Sequence, residues 1–158
     1  MLHREFPASV TQETICAYFW AGVAVGVLPF QSSKDWAFSV IEKLDAPPIE
    51  VIEVATANDR NSALDALQAS AHGADQQVAG RFLLVDIHAQ LKAGNISALE
   101  ATRAAMRVAQ TTGLPDHVYY DFDGLDDELQ LAVNGTYGTP TEIAADILKN
   151  LAEHAGAT

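Results

Sequence analysis

The fold of this chain is decided by residues 76–93, which read QQVAGRFLLVDIHAQLKA. The apolar residues in this stretch recur at helical spacing and cover more than one face, as in a helix surrounded by neighbours. They are Val78, Phe82, Leu83, Val85, Ile87 and Leu91. Gly94 and Asn95 follow, and these residue types often end helices. We therefore predict that residues 76–93 form the central helix of the fold.

Two segments rich in β-branched residues leave a second fold open. Residues 49–54 (IEVIEV) and 82–87 (FLLVDI) could be buried strands of a doubly wound α/β protein. Such a fold usually carries a glycine-rich phosphate loop after a strand, and neither segment is followed by one. Adjacent Val51 and Ile52 also break strand alternation but suit helical spacing. The sequence favours the all-α fold.

Capping signals predict helices on both sides of the central stretch. In the C-terminal half, residues 97–100 (SALE) and 139–142 (TPTE) are capping boxes, and the first of their helices should end at Thr112. Four further starts are expected in the N-terminal half. They are a capping box over residues 9–12, Ser32 or Ser33, Pro48 in a first turn, and Asn58 or Asp59. With twenty-seven alanines favouring helix, we predict one all-α domain over residues 1–158 with seven or eight helices.

The charge of the chain restricts its partners. The formal net charge is −12, and a chain this acidic repels phosphate backbones and anionic membrane surfaces. We therefore expect neither nucleic acid nor membrane as a partner. The uncharged run of residues 15–30 contains Pro29 and is shorter than a membrane span, so it predicts a buried helix. The single Cys16 cannot form an internal disulfide, which fits a reducing, cytoplasmic location.

The most distinctive feature of the sequence is an acidic segment at residues 116–128. Six of its residues are acids, and no Lys or Arg occurs between Arg107 and Lys149. Carboxylates steer a basic partner and aromatic side chains anchor it, so the segment predicts a partner-binding surface. The expected contact residues are Asp116, Tyr119, Tyr120, Asp121, Phe122, Asp123, Asp126 and Asp127. The alternative for the same residues is a solvated loop leading into a helix whose first turn holds Asp126, Asp127 and Glu128.

The sequence contains no recognisable catalytic, metal or cofactor motif. Aligning Gly124 with the conserved glycine of an EF-hand places Tyr119 and Gln130 where two essential calcium ligands belong. Asp86 and His88 lie about 200° apart on a helix and cannot chelate one ion together. We therefore predict no catalytic residue, no metal and no cofactor. The sequence favours a protein that is not an enzyme and leaves an enzymatic helical domain open as the alternative.

Aromatic residues cluster near the N-terminus and support an alternative function. Six of them fall between positions 18 and 38: Tyr18, Phe19, Trp20, Phe30, Trp36 and Phe38. Such a cluster could line a small-ligand or substrate pocket. Clusters of this kind more often form a core between two helices, and we expect Trp20 and Trp36 to be largely buried there.

A further pattern resembles that of a known class of protein. Residues 34–37 (KDWA), the pair Pro47-Pro48 and residues 51–55 (VIEVA) resemble small all-α bacterial proteins of uncharacterised or toxin-immunity type. The resemblance covers about 20 residues and assigns no site residues. In immunity proteins an acidic surface covers a basic nuclease toxin, so it implies an immunity-type inhibitor. A non-enzymatic domain that binds a basic protein is the first expectation.

Overall fold

The computed structural model describes residues 4–156, which form helices joined by turns and short loops, with no strand among them. Eight helices follow one another: α1 (Gln12–Ala24), α2 (Phe30–Lys43), α3 (Ile49–Ala55), α4 (Arg60–Ser70), α5 (Gln76–Lys92), α6 (Ala98–Thr111), α7 (Asp116–Val133) and α8 (Pro140–Gly156). The all-α prediction is confirmed. Residues 49–54 and 82–87 lie in α3 and α5, so the α/β alternative is wrong. Within residues 4–156, none of the helices is long and apolar enough to cross a membrane.

The chain forms two compact units, Met1–Ala79 and Gly80–Thr158, and their boundary falls inside α5. The expectation of one domain over residues 1–158 stays a prediction.

In the first unit, α1 packs against α4, and α3 packs against both α2 and α4. The core side chains include Cys16, Phe19, Val51, Val54 and Leu67. Hydrogen bonds between distant positions complete this packing. Nη2 of Arg60 donates to the carbonyls of Val23 (3.1 Å) and Ala24 (3.3 Å), so it joins the start of α4 to the last carbonyl groups of α1.

In the second unit, α7 packs between α6 and α8, and α6 also contacts α8. The core is formed by large apolar side chains from all three helices, among them Val108, Phe122 and Ile147. Gly80 of α5 lies against the end of α6. A Cβ atom at Gly80 would overlap Oγ1 of Thr112, so only glycine allows this close approach.

Three helices begin at their predicted caps. Ser97 and Glu100 form the expected capping box, and Oγ1 of Thr139 accepts a hydrogen bond from the Glu142 N–H at 3.2 Å. Asp59 caps α4 by accepting from the Ser62 N–H at 2.8 Å. That bond lowers the pKa of the Asp59 carboxyl, because it stabilises the charged form.

Two predicted starts in the first half are wrong. The box at residues 9–12 does not form, because Ser9 lies in a turn closed by the bond from the Val10 N–H to the Pro7 carbonyl (3.0 Å). Thr11 caps α1 instead, accepting from the Thr14 N–H. Helix α2 begins at Phe30, before Ser32 and Ser33.

Candidate binding surface on helix α7

The acidic segment is helical from its first residue. Asp116 opens α7, and the helix continues through Val133. The expected solvated loop before a later helix is therefore wrong. Pro115 precedes the helix in an extended conformation and provides no side-chain cap. The helix is held by an apolar stripe at helical spacing, all of it buried: Val118, Phe122, Leu125, Leu129 and Ala132.

Because this stripe is buried, the eight predicted contact residues fall into an exposed group and a buried group. Six retain exposure: Asp116, Tyr120, Asp121 and Asp127 are exposed, and Tyr119 and Asp123 are partly exposed. The other two point into the second unit. Phe122 is 0% exposed and Asp126 is 9% exposed, so neither can serve as a surface contact in this structure. Their positions follow from the helical period, since Phe122 lies four residues after the buried Val118.

Asp126 is occupied within the protein. Its Oδ1 accepts from Nε2 of Gln130 at 2.9 Å, and its Oδ2 lies 3.5 Å from Nε of Arg103. The Arg103 side chain, which belongs to α6, is 51% exposed. A buried carboxylate needs such partners. Asp126 therefore joins α7 to α6 and adds little to the surface charge.

Asp121 also has a partner, although it lies at the surface. Its Oδ2 is 2.9 Å from Nε2 of His154, and the exposed fractions of the two side chains are 47% for Asp121 and 11% for His154. The His154 ring packs against Phe122 and His117, at centroid distances of 5.7 and 5.6 Å. The sequence gives no signal for this contact, because the two residues are 33 positions apart.

The two tyrosines lie beside a groove at the start of α7. Their rings meet edge to face with centroids 5.4 Å apart, and Tyr120 is 65% exposed. The groove has a volume of about 520 Å³. It is lined by residues from the end of α6, the connecting turn and α7: Ala109, Gln110, Gly113, Leu114, Asp116, Tyr119, Tyr120 and Asp123.

The turn that forms this groove is fixed by its backbone. Gly113 has a φ of +63°, a conformation that glycine adopts without steric cost. The Leu114 N–H then bonds back to the Ala109 carbonyl at 3.0 Å, as in a Schellman motif. The buried Leu114 side chain follows. The expected end at Thr112 and Gly113 is confirmed, and the chain reverses there to begin α7.

The N-terminal aromatic side chains pack on one another. Ring centroids are 4.9 Å apart for Tyr18 and Phe19, and 5.4 Å apart for Phe19 and Trp36. All three rings are at least nine-tenths buried. Trp20, in contrast, is partly exposed and Phe38 is 48% exposed. The prediction of a largely buried tryptophan is confirmed for Trp36, whereas Trp20 lies at the edge of this core.

Phe6 extends this aromatic core, since its ring lies 5.2 Å from that of Tyr18. The Arg4 guanidinium stands 5.6 Å from the Tyr18 ring centroid, within range for a cation–π contact. Mutual contact of these rings is the arrangement expected of a structural core.

Cys16 lies in the same core and is fully buried. Burial, followed by the negative charges of Glu13 and Glu50, raises the pKa of the Cys16 thiol to about 12. The thiolate is the nucleophilic form of cysteine, so this thiol is held in its unreactive form. Among residues 4–156, no group of three or more His, Cys, Asp or Glu side chains is arranged to hold a metal ion.

Comparisons with models of protein families, with curated proteins and with solved structures find no match to this chain.

Proposed function

We propose that the protein is a non-enzymatic binding protein whose α7 surface binds a basic protein partner, as an immunity-type inhibitor would bind its toxin. The observation that carries the proposal is the charge of the exposed face of α7. Asp116, Asp123 and Asp127 retain exposure along this helix, and no Lys or Arg occurs between positions 107 and 149. Clustered carboxylates on a helix that carries no Lys or Arg of its own produce a negative potential that speeds encounter with a basic protein.

Helical geometry supports the same proposal. Asp116, Asp123 and Asp127 are spaced by seven and four residues, which places them along one side of α7. Tyr120 lies on that side between the first two. An exposed tyrosine surrounded by charge suits an interface, because its ring buries a large area at low entropic cost once a partner covers it. The carboxylates would then control association, and Tyr120 would slow dissociation.

The test compares two charge reversals of equal size. The first converts Asp116, Asp123 and Asp127 to Lys. Asp121 is left intact because it is bonded to His154. The control converts three exposed acids of the first unit, Glu42, Asp45 and Asp65, to Lys. Both variants change the net charge by the same amount, so a difference between them reports the location of the charge.

The probes are a panel of small basic nucleases, immobilised and measured by surface plasmon resonance at low and moderate salt. For a nuclease that binds, the α7 reversal should slow association by roughly tenfold or more and flatten its salt dependence. The control reversal should have a several-fold smaller effect. Equal slowing by the two variants, or no binding by any nuclease in the panel, would contradict the proposal. Circular dichroism of each variant should retain the helical spectrum.

A further inference from the structure

The groove between the end of α6 and the start of α7 has a chemical composition more specific than surface charge. Two carboxylates, Asp116 and Asp123, line it together with Tyr119 and Tyr120. The acids are seven residues apart, which is two helical turns or about 10 Å along the axis. The tyrosines fall midway between them. A ligand in the groove therefore meets aromatic rings with a carboxylate on either side.

Aromatic rings flanked by carboxylates favour a guanidinium over an ammonium. A guanidinium is planar, stacks on aromatic rings and offers paired N–H donors to a carboxylate. An ammonium is a compact, strongly hydrated charge that gains less from the rings. The remaining lining side chains are small, apolar or amide-bearing, namely Ala109, Leu114 and Gln110, and none of them would repel a cation. The volume of about 520 Å³ leaves room for an arginine side chain and adjacent backbone.

We infer that this groove receives an arginine side chain of the basic partner, and that it prefers arginine to lysine. The inference rests on the proposed function and makes it specific, since it selects partners by the type of cation and not only by charge. The exposure of Tyr120 and the lack of any Lys or Arg on α7 leave the groove open to such a side chain.

The experiment uses two capped heptapeptides in which glycine alternates with three arginines or with three lysines. The two peptides carry the same charge, so the negative field alone binds them equally. Calorimetric titration of the full chain should give a dissociation constant about five- to tenfold lower for the arginine peptide. Amide NMR shifts should be largest at groove residues such as Gln110 and Gly113.

Matched variants separate the groove from the surrounding surface. Tyr120→Leu removes an exposed ring of the groove, whereas Tyr137→Leu removes a ring that is 57% exposed and does not line it. Tyr120→Leu should abolish most of the preference for arginine, and Tyr137→Leu should preserve it. In the same way, Asp123→Asn should weaken binding of the arginine peptide more than Asp127→Asn does, because Asp127 does not line the groove.

The outcomes distinguish this inference from the proposal on which it rests. Equal affinity of the native protein for the two peptides overturns the inference that the groove prefers arginine. Failure of both peptides to bind also overturns it, as does an equal loss of the arginine preference in the Tyr120→Leu and Tyr137→Leu variants. The nuclease measurements then decide separately whether the α7 surface binds basic proteins. A further outcome is that the native protein prefers the arginine peptide while both charge reversals slow nuclease association equally. That result would support the arginine-binding groove and contradict the proposal that the charge of α7 attracts a basic partner.

Discussion

Nε2 of His154 lies 2.9 Å from Oδ2 of Asp121, and this contact ties the last turns of α8 to the middle of the acidic helix. A carboxylate only accepts hydrogen bonds, so Nε2 of His154 acts as the donor when the two atoms are bonded. The ring is largely covered, with Phe122 and His117 beside it. Asp121 is thus a surface carboxylate with a structural partner. Its contact with His154 helps to hold α7, which presents the other surface carboxylates, against α8.

A double-mutant cycle on this pair should reveal their coupling. Asp121→Ala removes the acceptor, and His154→Phe removes the donor but keeps a ring against Phe122. We expect a coupling free energy of about 1 kcal/mol, reduced because Asp121 is half exposed. Urea unfolding of the four proteins measures it. A cycle that pairs His154→Phe with Asp127→Ala is the control and should give a coupling free energy near zero. Equal coupling free energies in the two cycles would show that the contact between Asp121 and His154 does not stabilise the protein.

Glycine-to-alanine changes at two helical positions should have opposite effects. A Cβ at Gly80 would overlap Thr112 and lie 3.2 Å from Cγ of Leu114. Gly80→Ala should therefore destabilise the protein by about 1–3 kcal/mol through overpacking. Gly124 of α7 has nothing within 4 Å of such a Cβ, so Gly124→Ala should add about 0.5–1 kcal/mol through helix propensity. Thermal unfolding midpoints measure both. A stabilised Gly80→Ala protein would contradict the close approach of α5 and α6.

The sequence predicted helices best where a polar side chain caps them. Asp59, Ser97 and Thr139 accept hydrogen bonds at their helix starts, and all three starts were predictable. Helices α2, α3 and α7 begin instead after Pro29, Pro48 and Pro115, with no side-chain cap bond. Because these starts carry no capping side chain, the sequence predicts the start of α2 too late and the first turns of α7 as a loop.

The candidate surface on α7 was predictable in its position along the sequence but not in its detail. Charge and aromatic content located the segment at residues 116–128. Phe122 is turned inward by the helical period of this segment, and a loop has no such period. The partners of Asp126 and Asp121 could not be found from the sequence, because Arg103 and His154 are 23 and 33 positions away. The groove likewise depends on how α6 and α7 pack, which local patterns do not specify.

The two tryptophans should respond differently to truncation. Trp36 is 7% exposed and its ring lies 5.4 Å from that of Phe19, so Trp36→Ala should cost about 3–5 kcal/mol through the cavity it leaves. Trp20 is partly exposed, and Trp20→Ala should cost clearly less. Denaturant unfolding measures both. If Trp36→Ala kept its stability but lost a ligand found in a small-molecule thermal-shift screen, the aromatic cluster would be a binding site and the alternative function would be favoured.

Cys16 should make stability fall at alkaline pH. The pKa of the folded thiol is raised to about 12, whereas an unfolded cysteine ionises near pH 8.5. Between these values the unfolded chain loses the thiol proton and the folded protein keeps it. The unfolded state then binds fewer protons, so the free energy of unfolding decreases as pH rises, by up to about 1.4 kcal/mol per pH unit.

Cys16→Ala provides the control for this effect, because all other groups titrate in both proteins. The difference in unfolding free energy between native protein and variant, measured in urea from pH 7 to pH 10, should stay constant up to about pH 8 and then change in favour of the variant. Iodoacetamide should label Cys16 slowly in the folded protein and rapidly in urea, since only the thiolate reacts. A constant difference across the whole range, together with rapid labelling of the folded protein, would show that Cys16 is neither buried nor held in its protonated form.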